Sequence, residues 1–200
     1  MNFNEPVELT ESERRVKLLS LLGVTDTGYT FETMKHPKGF APALEAFRAM
    51  ADGAADFSLL MVYGVTGNGK SRACQAVVIA MFDRGIRVKR DRWSDIVRTL
   101  KGLFHGNGRG DTTYEQYFAS LRNRQRLILD DVGSGSTLGD WEWGELEDII
   151  DYRYERNMFT IVTTNLDIKQ FPERILSRFR DRSKARLVLN EAPDQRPEVK

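Results

Sequence analysis

One eight-residue run constrains this chain more than any other feature: Gly64-Val65-Thr66-Gly67-Asn68-Gly69-Lys70-Ser71. It satisfies G-x-x-x-x-G-K-[ST] without a mismatch. At ordinary residue usage such a match arises by chance in about 1% of chains this long, and its context argues further against chance. FSLLMVYG (57–64), just before it, is the short apolar run of a buried strand. Ser71 to Phe82, just after it, is nearly all apolar and reads as a helix covered on most sides. Gly64, Gly67 and Gly69 let the backbone between strand and helix curl until consecutive N–H groups converge on phosphate oxygens. The helix beginning near Lys70 adds the positive end of its dipole. Lys70 is placed to reach the β- and γ-phosphates, and the Ser71 hydroxyl to ligate Mg²⁺. The bland alternative is a glycine-rich turn with a surface lysine.

The same alternation continues along the chain. GIRVKR (85–90), RLILDD (126–131), MFTIVTTN (158–165) and ARLVLN (185–190) read as four more strands. Helical spacing predicts helices over 93–104, over 114–122, around Trp143, Leu146, Ile149 and Ile150, and over 172–179. Two further helices are expected ahead of the first strand, at 11–22 and 41–51. Residues 1–10 read as disordered, 105–111 as a glycine-rich loop and 191–200 as a flexible tail. Strands alternating with helices predict an α/β fold: a five-stranded parallel sheet with helices on both faces, a three-layer sandwich. Ligands of such sheets bind at the carboxyl ends of the strands. The loops after strands one, three and four are thus expected to face one site.

Those loops carry the remaining candidates. A buried strand ending in Asp130 and Asp131 is costly unless the acids have a task or a cation. After a phosphate-binding loop, Asp130 would hold Mg²⁺ through Ser71 and water, and Asp131 would polarise the attacking water. The alternative is a strand end with solvated acids. Asn165, closing Thr163-Thr164-Asn165, offers an amide to the γ-phosphate or the water; otherwise it is a turn asparagine. Arg174 and Arg178 lie four apart and share a helix face. One reading sends an arginine to a neighbouring subunit's nucleotide; the other pairs the basic helix with Glu173 and Asp181. Arg84, Arg87, Lys89, Arg90, Arg92, Arg98 and Lys101 are either a track for a nucleic-acid backbone or a solvated face. Trp141 and Trp143 are expected in the core, as is Cys74.

Composition removes other classes. The 200 residues carry 30 Lys plus Arg against 29 Asp plus Glu, which excludes a generally basic nucleic-acid coat. One cysteine and two histidines exclude a disulfide framework and a Cys- or His-rich metal cluster. No apolar run reaches the length of a membrane span, and the N-terminus lacks a secretory pattern, so the expected location is the cytoplasm.

Taken together, GYTFETM, GVTGNGKS, LILDDVG, IIDYRYERNMFTIVTTNL and ERILSRF stand in an order that resembles the ATPase domain of the DnaC/IstB family, AAA+ proteins that load replicative helicases or assist transposases. The resemblance covers roughly residues 28–190, and 149–166 is its most specific part. It implies an ATP- and Mg²⁺-dependent ATPase with Gly64–Ser71 as Walker A and Asp130 and Asp131 as Walker B. It further implies Asn165 as sensor 1 and Arg178, with Arg174 beside it, as the arginine finger. The second Walker B acid is often Glu in AAA+ proteins, and the shorter Asp131 implies slower hydrolysis. The implied partners are DNA, single-stranded by expectation, a replicative helicase, and further copies of the chain in an ATP-dependent homo-oligomer. A transposase replaces the helicase if the protein is a transposition helper, and a third reading is an ATP-switched DNA-binding module with little turnover. The expected organisation is a short extension with one helix (1–27), the ATPase domain (28–190) without a helical lid, and the tail (191–200).

Overall fold

The apolar run ahead of the glycine motif forms β1 (Leu59–Tyr63), and its alternation sets the layers. Leu60 and Val62 face one side and Leu59 and Met61 the other, as the two-residue period of a strand requires. The computed structural model describes residues 9–35, 37–106, 111–133 and 138–196. The expected disorder at 1–8, the centre of the glycine-rich loop at 107–110 and the last four residues lie outside them.

β1 is flanked in parallel by β4 (Phe159–Thr164) and β5 (Ala185–Leu189). With β3 (Arg126–Val132) and β2 (Lys89–Arg92) they form a five-stranded sheet of order β2-β3-β4-β1-β5. One face is covered by α1 (Glu11–Leu21), α2 (Ala41–Asp52) and α3 (Lys70–Asp83), which pack Leu19, Phe47 and Val77 onto Leu60, Val62, Ile128 and Ile161. The other carries α4 (Trp93–Phe104), α5 (Tyr114–Asn123), α6 (Asp140–Glu155) and α7 (Glu173–Arg180) over Leu59, Met61, Leu129 and Val162. The expected α/β fold class is therefore borne out. Among the described residues no helix is long and apolar enough to cross a membrane.

Two details depart from the sequence reading. The second strand was expected at 85–90 but pairs only over Lys89–Arg92. The amides of Gly85 and Ile86 instead close the end of α3, donating to Phe82 and Met81 carbonyls. Trp143 packs edge-on to Phe171, with centroids 5.0 Å apart, but Trp141 is exposed beneath Lys101.

Within residues 149–166, Arg153 on α6 is fully buried. It donates to the carbonyls of Leu121, Arg122, Arg124 and Phe159 and to Thr160 Oγ1. The guanidinium thus satisfies carbonyls at the end of α5 that have no helical partner. Burial, with Arg124 nearby, pulls its pKa down to about 10.

Candidate functional site

At the carboxyl end of β1, the chain turns through Gly64–Gly69 into α3, whose N-cap is Gly69 at φ 98°. A side chain there would be strained, which is why the residue before the lysine is glycine. Lys70 is nearly buried, and its ammonium donates to the carbonyls of Gly64 (2.7 Å) and Val65 (2.8 Å) and to Asn68 Oδ1 (2.9 Å). Burial lowers its pKa to about 8 from the ordinary 10.5, although Asp131 and Asp130 oppose the shift. A cationic group folded onto neutral carbonyls beside a bed of N–H donors is one that an anion would draw away.

Asp130, at the end of β3, is fully buried, and every side of its carboxylate is occupied. Oδ1 accepts from Ser71 Oγ (3.0 Å) and Thr163 Oγ1. Oδ2 accepts two N–H groups of Arg90, whose third nitrogen donates to Gly23 O at 2.6 Å. Arg90 was expected on the surface, on either a nucleic-acid track or a solvated face. Its side chain is only 3% exposed, so that assignment is corrected: the Asp130 charge draws it inward. Of the others in that stretch, Arg87 and Arg92 are exposed. Arg84 donates to Ala51 O, Lys89 to Leu21 O, Arg98 pairs with Asp95 and Lys101 with Glu142.

Asp131 takes a different direction from its neighbour. Its φ of 61° is in the left-handed region, and the β3–β4 register slips by one residue between Leu129 and Val132. This bulge re-aims the side chain into the cavity. Its amide donates to Thr163 Oγ1 (3.0 Å), and its Oδ1 accepts from Asn165 Nδ2 (2.7 Å). Thr163 therefore touches both acids, a role the sequence reading did not give it.

A cavity of about 350 Å³ is formed by Thr66, Gly67, Asn68, Gly69, Lys70 and Ser71 together with Asp131 and Asn165, with Asp130 and Thr163 buried behind its wall. Its remaining walls are Arg72, Arg92, Gln195 and Arg196, so four cations face one carboxylate. That balance suits a polyanion. Among the described residues no cluster of His, Cys, Asp or Glu could hold a metal by itself. A divalent ion would have to share Ser71 with phosphate oxygens, and Asp130 would act from behind the hydroxyl.

Arg174 and Arg178 do not line this cavity. Both grip Asp151 on α6: Arg174 Nε to Oδ2 at 2.6 Å, Arg178 Nε to Oδ1 at 2.8 Å. Arg178 also lies over the Tyr154 ring, 4.9 Å from its centroid. Of the acids expected to pair with this helix, Glu173 takes Arg180, while Asp181 takes the Tyr154 hydroxyl.

The IstB-like ATP binding protein family matches residues 17–189. A protein of Sinorhizobium fredii named for an insertion sequence and ATP binding is 30% identical over 125 residues, 60% of this chain and 40% of its own. The DnaA chromosomal replication initiator of Limosilactobacillus fermentum is 24% identical over 161 residues, 76% of this chain and 34% of its own. The chain thus spans well under half the length of these two relatives. Among solved structures, the DnaC helicase loader superposes with a TM-score of 0.67 at 25% identity, over 82% of this chain and 97% of the other. AMPPCP-bound DnaA from Aquifex aeolicus superposes at 0.66 and 23% identity, over 83% and 51%. Motif, fold and family match converge: the chain belongs to the IstB-like ATP binding protein family and has the AAA+ fold of DnaC and DnaA.

Proposed function

We propose that this protein binds ATP with Mg²⁺, hydrolyses it, assembles on DNA as a homo-oligomer, and helps to load a replicative helicase. The observation that carries the reading is a single cavity lined by a loop-cradled Lys70, by Ser71 with Asp130 buried behind it, and by the Asp131–Asn165 pair. Gly64, Val65, Thr66, Gly67, Asn68 and Gly69 would cradle the polyphosphate with backbone N–H groups, and Lys70 would leave its carbonyls for the β- and γ-phosphates. Ser71 would ligate Mg²⁺, with Asp130 orienting the hydroxyl. The bound ion supplies charge neutralisation on the phosphate oxygens. Asp131 would orient and polarise the attacking water, and Asn165 would hold that carboxylate in place. Arg178, with Arg174, would leave Asp151 to complete a neighbouring subunit's site. Their absence from their own cavity wall supports a role in trans.

A second reading is favoured by the family match and by the Sinorhizobium relative: a transposition helper whose partner is a transposase. Phosphate release should rise more than linearly with protein concentration or on adding single-stranded DNA, and Lys70→Ala should abolish it. Purified helicase and transposase, offered as separate baits, decide the partner. Hydrolysis by Lys70→Ala at the parent rate would overturn the site. DNA binding driven by ATP without phosphate release would make the protein a switched binding module instead.

A further inference from the structure

We propose that the segment leaving β5, Asn190–Arg196, is a wall of the nucleotide site, and that the Gln195 carboxamide and Arg196 guanidinium donate hydrogen bonds to the bound polyphosphate. The proposal rests on the reading of Gly64–Ser71 as a nucleotide loop and adds two residues that no part of the motif contains.

The segment is fastened to the loop at three points. Asn190 and Asn68, both buried, exchange amide bonds: each Nδ2 donates to the other's backbone carbonyl at 3.0 Å. Asn190 Oδ1 accepts from Ala192 N at 3.1 Å, which turns the chain back, and Ala192 is fully buried. Asn68 Oδ1 is also an acceptor for Lys70, so the lock on the segment includes the lysine's resting place. Further on, Gln195 N donates to Gly67 O at 3.0 Å. Between these points the Asp194 carboxylate lies against Gly67, where an added Cβ would come within 1.8 Å of its oxygen. Gly67 stands at φ 77°, so geometry and the Asp194 contact both demand glycine there.

The side chains at the end of this segment lack what a nucleotide would bring. Gln195 Nε2 is buried without a hydrogen-bond partner among the described residues. It sits 3.2 Å from where Gly69 would carry a Cβ, over the start of α3. A buried amide donor with no acceptor is rare and costly. Gln195 lines both the cavity holding Lys70 and Ser71 and a smaller neighbour of about 170 Å³ bounded by Gly28, Tyr29, Met34 and Arg72. Arg196 lines the larger cavity, and its Nε bonds Asp194 Oδ1 at 3.2 Å, offsetting one of the two acids of the segment. Gln195 Nε2 lacks an acceptor and Arg196 spends only its Nε on Asp194 among the described residues, and phosphate oxygens at a helix N-terminus are acceptors only.

The test measures affinity of the full chain for labelled ATP and its displacement by inorganic tripolyphosphate. Gln195→Ala and Arg196→Ala should each weaken both by about tenfold. Gln195→Glu, of the same shape, should weaken both more than Gln195→Ala, because a carboxylate repels phosphate; a merely structural residue would not show that order. Melting curves check that each variant is folded. Unchanged affinity in all three, with Lys70→Ala unable to bind, would overturn the proposal and leave the loop assignment standing. Loss of ATP affinity without loss of tripolyphosphate affinity would move the contact to the base and also overturn it. Parent-like binding by Lys70→Ala would overturn the underlying reading of the loop itself.

Discussion

Replacing Arg90 with methionine removes a guanidinium but keeps an unbranched side chain of similar reach. The parent Arg90 donates twice to Asp130 Oδ2 and once to Gly23 O, and the two charged side chains are 3% and 1% exposed. In the variant, Asp130 keeps only the Ser71 and Thr163 hydroxyls on Oδ1, so its Oδ2 is bare in the core. Breaking a buried pair from one side costs about 3–5 kcal/mol. For a chain of this size each kcal/mol moves the melting temperature by roughly 2–4 °C, so a fall of about 6–20 °C is expected. Arg90→Lys should recover part of it, since a point charge reaches the carboxylate without the double bond. The double variant Arg90→Met/Asp130→Asn should recover more, because no buried charge is left unpaired. Thermal melting followed by circular dichroism reads all three. A melting point for Arg90→Met within about 2 °C of the parent would refute the reasoning. Weaker DNA binding at an unchanged melting point would return Arg90 to a surface track.

Three shorter predictions follow from the same site and core. Lys70 titrates at about 8, so nucleotide binding above that pH must recapture a proton. Affinity should therefore be flat below pH 8 and fall up to about tenfold per pH unit above it; titrations with labelled nucleotide check this, and Lys70→Arg should remove the slope. Asp131→Asn keeps a side chain that tolerates φ 61° and still accepts from Asn165. Stability should stay within about 0.5 kcal/mol while turnover falls by about 10² or more, read by melting and by phosphate release. Arg153→Met strips five donated bonds from buried and part-buried acceptors and should cost at least about 3 kcal/mol by urea unfolding.

The layers of this fold were legible because hydrophobic period reports burial, and β1, β3 and β4 are apolar runs. The strand β2 was not, because its pairing residues are Lys-Arg-Asp-Arg. Arg90 is tolerated there only by a carboxylate forty positions away, and periodicity does not register such a pair. The two adjacent acids were legible as a pair, but not the bulge that sends one to Arg90 and the other into the cavity. The glycine motif announced its own residues, whereas Arg72, Arg92, Gln195 and Arg196 join it through the fold. Residues 191–196 read as part of a tail because prolines and polar residues carry no period, yet Gln195 N donates to Gly67 O, and Asn190 just before them bonds Asn68 across 122 positions. A reciprocal amide pair of that kind leaves no trace in spacing.

In the proposed ATPase, a second copy of the chain completes each active site. Mixing Lys70→Ala with Arg178→Ala tests it most directly. Lys70→Ala lacks the phosphate-binding cation but keeps Arg178 on α7. Arg178→Ala keeps the cavity but lacks the arginine offered to a neighbour, a group worth roughly 10³ to 10⁵ in rate in related enzymes. Each alone should be nearly inactive, and Arg178→Ala should bind nucleotide as the parent does. Their mixture should regain a measurable fraction of phosphate release, because one interface in the assembly then holds both intact halves. Two folded, associating variants whose mixture stays inactive would contradict the account and return Arg178 to Asp151 and a structural role within its own subunit.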